Sequence, residues 1–383
     1  MDNIAGQKSS LAWATHLSVL LLVLLWLIPT IGLFVSSFRD RDQISESGWW
    51  EAPFPVELTA RGRTAAEATQ EGDVFVVTGS IYDDPEAKSF FPDGGGEVVA
   101  FGTRGVNPTE FEAGTTVELG EGETLTVNAD GTYEWRTPED PGDRGQRIYF
   151  AAESPPSFTT ENYEQVLTAD NMDRAFINTL TVTIPATIIP ILVAAFAAYA
   201  LAWMEFPGRG ILIAAVVGLL VVPLQLALVP MLNLHNRIGI GQSFMGIWFA
   251  HTAFGMPLAV YLLRNYMAGL PRDIIECARV DGATDFQLFL KIVLPLSLPA
   301  LAAFSIFQFL WTWNDLLVAK VFLPSDDASK VMTVKIADDL LGSRGGDWGI
   351  LATAAFVSIA VPLIVFFSMQ RFLVRGLLAG SVK

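Results

Sequence analysis

Six stretches of this chain run for 23 residues or more without one Asp, Glu, Lys or Arg: residues 9–38, 175–204, 211–236, 238–263, 292–314 and 348–370. About 20 apolar residues cross a bilayer as a helix, and backbone in hydrocarbon must satisfy its own hydrogen bonds. The predicted fold is therefore a mainly α-helical polytopic membrane protein with six transmembrane helices. Composition agrees, with 51% hydrophobic and only 17% charged residues, against about 25% charged in ordinary soluble domains. Arg237 alone parts the third and fourth runs, so the turn between them is placed at 233–242.

The first run follows a single cation, Lys8, as a secretory signal would, but it is too long and no A-x-A site follows. It reads as an uncleaved helix. With the N-terminus inside, the cytoplasmic segments carry nine cations: Lys8, Arg209, Arg264, Arg272, Arg279, Lys291, Arg371, Arg375 and Lys383. The outer loops carry five: Arg237, Lys320, Lys330, Lys335 and Arg344. Loop cations collect on the cytoplasmic side, so both termini are expected inside.

Net charge is −16, but residues 37–174 alone hold 28 acids against 10 bases. The acidity is local and the membrane part slightly basic, which argues against nucleic acid as a partner. From about 45 to 160 the aliphatic runs give way to alternating segments bounded by Gly, Asp, Asn and Pro, among them GDVFVVTGSIYDD, GEVVAFGTR and LTVNADGTYEW. Alternation with such boundaries is the strand-and-turn signature, and Asn128-Ala129-Asp130-Gly131 is the hairpin turn. A small extracytoplasmic all-β domain, sandwich or barrel, is predicted after the first helix. Its acids lack the D-x-[DN]-x-[DN]-G spacing of a calcium loop and read as a solvated face. Three regions result: 1–44, the tail and first helix; 45–160, the acidic insertion; and 161–383, the helical core.

Between two apolar runs lies ECARVDGATDFQLFLKIVLPLSLP, residues 276–299. Pro271 suits a helix start, with Asp273 and Glu276 complementing its dipole. Ile274, Ile275 and Ala278 share a face, Asp281-Gly282 breaks the helix, and Asp281 or Thr284 caps the next. There Phe286, Phe289, Leu290 and Val293 recur at helical spacing. Pro295 and Pro299 lead into the following span. The lone Cys277 reads as a small buried side chain. Periodicity alone is equally met by a short amphipathic helix at the lipid interface.

The order of residues, Glu276-Cys277-Ala278, then Asp281-Gly282-Ala283, then Ile292-Val293-Leu294-Pro295, resembles the cytoplasmic loop of permease subunits of bacterial ATP-binding-cassette importers. Cys277 stands where the family pattern has Ala. Further stretches are similar to maltose-type carbohydrate permeases: PTIGLFVSSFR, FTTENYEQVL, FINTLTVT, AAYALAW, TWNDLLVA, DWGILATAAFVSIAVPLIVFF and QRFLVRGLLAGSVK. Within that group the chain looks closest to α-glucoside permeases with an enlarged first outer loop.

The resemblance implies a bacterial inner-membrane importer subunit that is not itself an enzyme. Its partners would be two ATPase subunits, a homologous second permease and an extracytoplasmic sugar-binding protein. Loop 266–296 would be the coupling elbow, with Phe286 and Phe289 as apolar knobs and Glu276 as a polar contact. No cofactor is expected on this chain. ATP and Mg would be used by the partner ATPase, since no G-x-x-x-x-G-K-[ST] phosphate loop occurs in the sequence. The outer loop 323–347 would supply binding-protein contacts through Arg344, Gly345, Gly346, Asp347 and Trp348, with a plain connector as the alternative.

A saccharide pathway needs polar and aromatic groups on otherwise apolar helices. Candidates are Asn178, Gln225, His251, Gln308, Trp311, Trp313, Asn314 and Asp315. A membrane-interface position for the two tryptophans and helix bridging by Asn178 and Gln225 are the competing readings. Pro185, Pro190, Pro223 and Pro230 are expected to interrupt the second and third helices, for flexing or for packing. Two other classes fit the residues less well. A secondary transporter needs carboxylates within its spans, and the six runs contain none; a receptor needs a cytoplasmic signalling domain longer than the elbow.

Overall fold

The structure, a computed structural model, describes residues 11–92, 94–141, 145–168, 171–340 and 348–379. It divides into two units, Met1–Tyr163 with Asp347–Thr353, and Glu164–Gly346 with Ala354–Lys383.

The first unit begins with helix α1, Ala12–Ser36, whose only buried residue is Gly32. Helix α2, Arg41–Glu46, follows, capped by the Asp40 carboxylate, and then a 3-10 turn, Trp49–Glu51. The chain next enters strands β1 (Val56–Arg63), β2 (Thr69–Glu71), β3 (Val74–Ser80), β4 (Val98–Gly102), β5 (Phe111–Glu112), β6 (Thr116–Gly120), β7 (Glu123–Val127), β8 (Thr132–Thr137) and β9 (Arg147–Ser154). One sheet has the order β1-β9-β4-β5 and the other β2-β3-β8-β7-β6, every pairing antiparallel. Strand β1 alternates buried and exposed throughout, with Val56, Leu58, Ala60 and Gly62 inward.

Both sheets feed one core in which Val77, Phe101, Leu125, Ile148 and Phe150 are sealed from solvent. Each such side chain contributes about 1.5–3 kcal/mol when fully buried. The architecture is a two-sheet sandwich and is not purely β, because helix α3, Pro85–Phe90, closes it through Ala87. At the β7–β8 hairpin Gly131 takes φ +80° and Asp130 accepts from both the amide and hydroxyl of Thr132.

The helices of the second unit are α4 (Glu161–Thr168, its first turn in the other unit), α5 (Met172–Trp203), α6 (Arg209–Leu219), α7 (Leu224–Arg237), α8 (Phe244–Ala268), α9 (Arg272–Val280), α10 (Asp285–Leu288), α11 (Leu294–Leu296), α12 (Leu298–Trp313), α13 (Leu317–Phe322), α14 (Met332–Lys335) and α15 (Trp348–Ala379). Ala194, Ala195 and Ala198 of α5 are buried in one cluster with Ala259, Val260 and Leu263 of α8. Small side chains let helix backbones approach closely, which drives association where lipid is the solvent.

Among the described residues four helices are long and apolar enough to cross a membrane: α1, α5, α8 and α15. The two other predicted spans are broken. The first bends by 109° between α6 and α7, and the second by 70° between residues 285–296 and α12. The six predicted spans are thus four continuous helices, or six if each bent pair counts as one span. Pro223, just before α7, has no amide to continue the ladder. The other prolines do not interrupt their helices, since α5 runs unbroken through Pro185 and Pro190 and α7 through Pro230.

Candidate functional site

The elbow is built from short helices with well-made ends. Gly282 adopts φ +83°, the left-handed conformation that L side chains disfavour, and open space surrounds it. The Ala283 amide then donates to the Ala278 carbonyl at 3.0 Å, closing the turn. Thr284, rather than Asp281, caps α10: its hydroxyl accepts from the Gln287 amide while the Gln287 side chain accepts from the Thr284 amide, a reciprocal capping box. A π-helical turn, Phe289–Val293, joins α10 to α11.

Two contacts fasten this elbow to the helical core and a third braces it internally. Tyr199 of α5 donates to Asp285 at 3.1 Å, Arg279 donates to the Trp203 carbonyl, and the Arg279 guanidinium lies 3.4 Å from Asp285. Apolar residues divide between two faces. Ile275, Leu288, Phe289 and Val293 are buried, and the Phe289 ring lies 4.6 Å from that of Phe196 and 5.3 Å from that of Tyr199.

Phe289 is therefore an anchor holding the elbow to α5, a correction to its expected role as a docking knob. The outward apolar groups are Val280 at 87% exposure and Phe286 at 62%; Leu290 is also exposed, and so is Ile274, which does not share the buried face of Ile275. Val280 escaped the sequence reading, although an aliphatic residue just ahead of a Gly turn in a polar stretch is a signal. Glu276, Asp281 and Pro295 are exposed, while Ala278, Ala283 and Leu294 are half-buried. Cys277 is exposed, not buried as expected, because Ile275 and Ala278 take the inner face of α9.

The pathway candidates separate into three groups. Gln308 and Trp311 line a cavity of about 520 Å³ with Leu224, Met231, Phe254 and Gly255. Gln308 donates to the Ala186 carbonyl at 3.1 Å, and the Trp311 edge meets His251 at 5.6 Å. Behind that ring, His251 and Asp315 line a void of about 10 Å³ together with Thr183 and Thr312. His251 Nε2 stands 3.8 Å from Asp315 Oδ2, and Asp315 caps α13 by accepting from the Val318 and Ala319 amides. Both imidazole nitrogens and the two threonine hydroxyls lack a hydrogen-bond partner among the described residues. A void of this size holds about one water molecule.

The remaining candidates are engaged mainly elsewhere. Trp313 is 1% exposed, donates to the Ser358 carbonyl and stacks on Phe309; it also borders the void at His251 and Asp315, and it is not an interface residue. Asn178 donates to the Ala328 and Lys330 carbonyls, tying α5 to the loop between α13 and α14. Asn314 donates to the Leu310 carbonyl, and Gln225 is exposed at the start of α7.

That loop is held at Asp327. Lys335 donates to Asp327 at 2.7 Å and Asn171 donates to it at 3.1 Å, and these bonds hold the Asp327 carboxyl down at about 2. Arg344, Gly345, Gly346 and Asp347 lie outside the described residues; Trp348 is exposed at the head of α15. Among the described residues no three His, Cys, Asp or Glu side chains are grouped to hold a metal.

Comparison with known proteins bears on residues 166–378, which match a family model described as binding-protein-dependent transport system inner membrane component. The alpha-glucoside transport system permease protein AglG of Rhizobium meliloti (strain 1021) is 57% identical over 386 residues, covering 99% of each chain. The osmoprotective compounds uptake permease protein GgtD of Synechocystis sp. is 38% identical over 96% of this chain and 91% of its own. The trehalose transport system permease protein SugB of Mycobacterium tuberculosis is 35% identical over 60% of this chain and 84% of its own. The first two matches run through the β region as well.

Proposed function

The chain belongs to the family of binding-protein-dependent transport system inner membrane components, and from that premise we propose that it is the permease subunit of an ATP-driven importer of an α-glucoside. It spans the inner membrane several times. Two copies of an ATPase, a second homologous permease and a sugar-binding protein complete the transporter, with ATP and Mg used on the ATPase. Both termini and the elbow face the cytoplasm, and the β unit lies outside.

One observation carries the coupling role. The elbow presents Val280 and Phe286 outward on short helices stiffened by a capping box and fastened to α5 through Phe289, Tyr199 and Arg279. Exposed apolar side chains on a rigid mount suit insertion into a partner's groove. Closure of the ATPase pair on ATP then pulls Val280 and Phe286, and the load passes through Phe289 into α5. The broken spans α6–α7 and residues 285–313 supply the irregular backbone that such a motion uses, and broken helices in transporters commonly line the pathway. The cavity at Gln308 and Trp311 is the part of this chain offered to the sugar, one face for stacking and one amide for hydroxyls. The α-glucoside assignment rests on the match to AglG across the full chain.

The test is to purify the tagged chain in mild detergent from its host and assay the associated proteins for ATP hydrolysis, with and without α-glucosides and binding protein. An ATPase and a second permease, stimulated by sugar-loaded binding protein, are expected. A chain recovered without a nucleotide-hydrolysing partner, under conditions that preserve a control importer, refutes the proposal.

A further inference from the structure

The base of the β unit carries exposed aromatic rings on an unusually well-held turn. Arg39, 1% exposed, lies just past the end of α1 and spends its guanidinium on its own chain. It donates to the Gln43, Ser47 and Gly48 carbonyls and to the Ser47 hydroxyl. Glu51 accepts from the Gly48 amide and closes the 3-10 turn Trp49–Glu51 from the other side. Within that turn Trp49 packs over Gly32 of α1 so closely that an added Cβ would meet its Nε1 at 2.9 Å. Trp50 sits edge-on to Trp49 at 6.0 Å and is 65% exposed, and Phe54 is 62% exposed. A fourth ring, Phe158 at 58% exposure, is brought alongside by the bridge between Arg39 and Phe158.

The depth of these rings follows from α1. Its 25 residues span about 37 Å at 1.5 Å each, longer than a hydrocarbon core of about 30 Å. Gly32 lies one turn before the helix end at Ser36, so Trp49 sits about 6 Å below that end, where hydrocarbon gives way to headgroups. Tryptophan and phenylalanine at this level place a ring in the acyl boundary, and Trp keeps its N–H among polar groups. In water, two large rings held out on a buried arginine have no such compensation.

We propose that Trp49, Trp50 and Phe54, flanked by Phe158, form a foot that seats the base of the β unit in the phospholipid headgroup layer at the end of α1. The lipid-facing surface of α1 thereby continues onto the sandwich. The sheet is directed away from the membrane: β9 ends at the base with Ser154, Val98 of β4 is level with Ala152, and Gly102 is level with Tyr149. The turn after Gly102, with Val106 at 91% exposure, is at the far end. The inference rests on α1 crossing a membrane and is independent of the cargo.

The test uses the full-length chain in phospholipid nanodiscs, with Cys277→Ser removing the only native thiol. A nitroxide is attached at Phe54→Cys in one variant and Val106→Cys in another. Collision with oxygen, concentrated in lipid, relative to an aqueous nickel chelate is expected to be several-fold higher at 54 than at 106. Equal ratios overturn the proposal, and so does exclusion of both reagents at 54, which would mean a protein partner covers the foot. If the label perturbs the turn, wild type and Trp50→Phe are compared in lipid brominated near the headgroup end of its acyl chains. The emission lost on Trp50→Phe is expected to be the strongly quenched part; an unquenched difference overturns the proposal.

Discussion

Helices α1 and α8 are each 25 residues long and each apolar enough to span a bilayer, yet 6% of the best α1 window is buried against 50% of that in α8. Their side chains explain the difference. α1 is built mostly of Leu, Val and Trp, which lipid solvates as well as protein does, and it buries only Gly32. α8 places Gly246, Gly255, His251 and Thr252 inside the bundle, where small side chains let neighbouring helices approach closely, a contact that lipid does not supply. Apolar character therefore identifies a span, and departures from it identify the face that meets protein.

The largest effect that would break this comparison lies in the elbow, where the same division separates two phenylalanines. Phe289→Ala removes a ring enclosed by Phe196 and Tyr199 and is expected to cost about 3 kcal/mol, read as a lowered melting temperature. Phe286→Ala, at an exposed position, should leave melting unchanged and reduce sugar-stimulated ATP hydrolysis. Equal destabilisation by both would undo the two-face account. In the spans, Leu263→Ala in α8 is expected to cost about 2 kcal/mol, the low end for a buried leucine because lipid rather than water surrounds the helices. Leu22→Ala in α1 should stay within about 0.5 kcal/mol. If the two leucines cost the same, α1 is packed against protein rather than lipid.

Backbone strain comes next. Gly282→Val forces a β-branched residue to φ +83° at about 1–2 kcal/mol, without a steric clash, since its surroundings are open. The variant should insert and assemble but lose coupled uptake; wild-type transport rates would remove the elbow from the mechanism. The smallest effect is electrostatic. Asp327 is held at about 2, below the ordinary carboxylate value near 3.9, so its bonds to Lys335 and Asn171 stabilise the loop fully above that ordinary value. The contribution fades as pH falls through about 2. Melting followed from pH 6 to pH 2 should fall more steeply for wild type than for Asp327→Asn; parallel curves would mean the contact adds nothing.

How much was legible depended on whether the signal was local. The elbow was readable because its turn needs glycine at one position, although Asp281 and Thr284 both suited the cap and only the reciprocal bonds to Gln287 chose Thr284. The β7–β8 hairpin was readable from Asn128 to Gly131 for the same reason. Strand β1 was missed because Ala60 and Gly62 occupy inward positions and give no apolar alternation, though its buried–exposed pattern is strict in the fold. The roles of Phe286 and Phe289 were not separable by spacing, since both fit one helical stripe and only packing on Phe196 and Tyr199 buries Phe289 while Phe286 stays exposed. Trp313 was misjudged because a tryptophan near a helix end looks alike whether it meets lipid headgroups or a neighbouring helix.

The sequence by itself determined that this chain lives in a membrane, that an acidic β region follows the first helix, and that a glycine turn bends the loop before α12. Charge-free length, alternation and a required positive φ are properties of contiguous residues, so no partner is needed to read them. Tertiary structure alone decided that two of the six apolar runs are bent, that His251 faces Asp315 across a 3.8 Å gap, and that Arg39 is spent on holding two tryptophans against the end of α1. Those outcomes depend on which distant side chain fills a given space and which backbone group is left to bond, and packing settles them only once the helices have met.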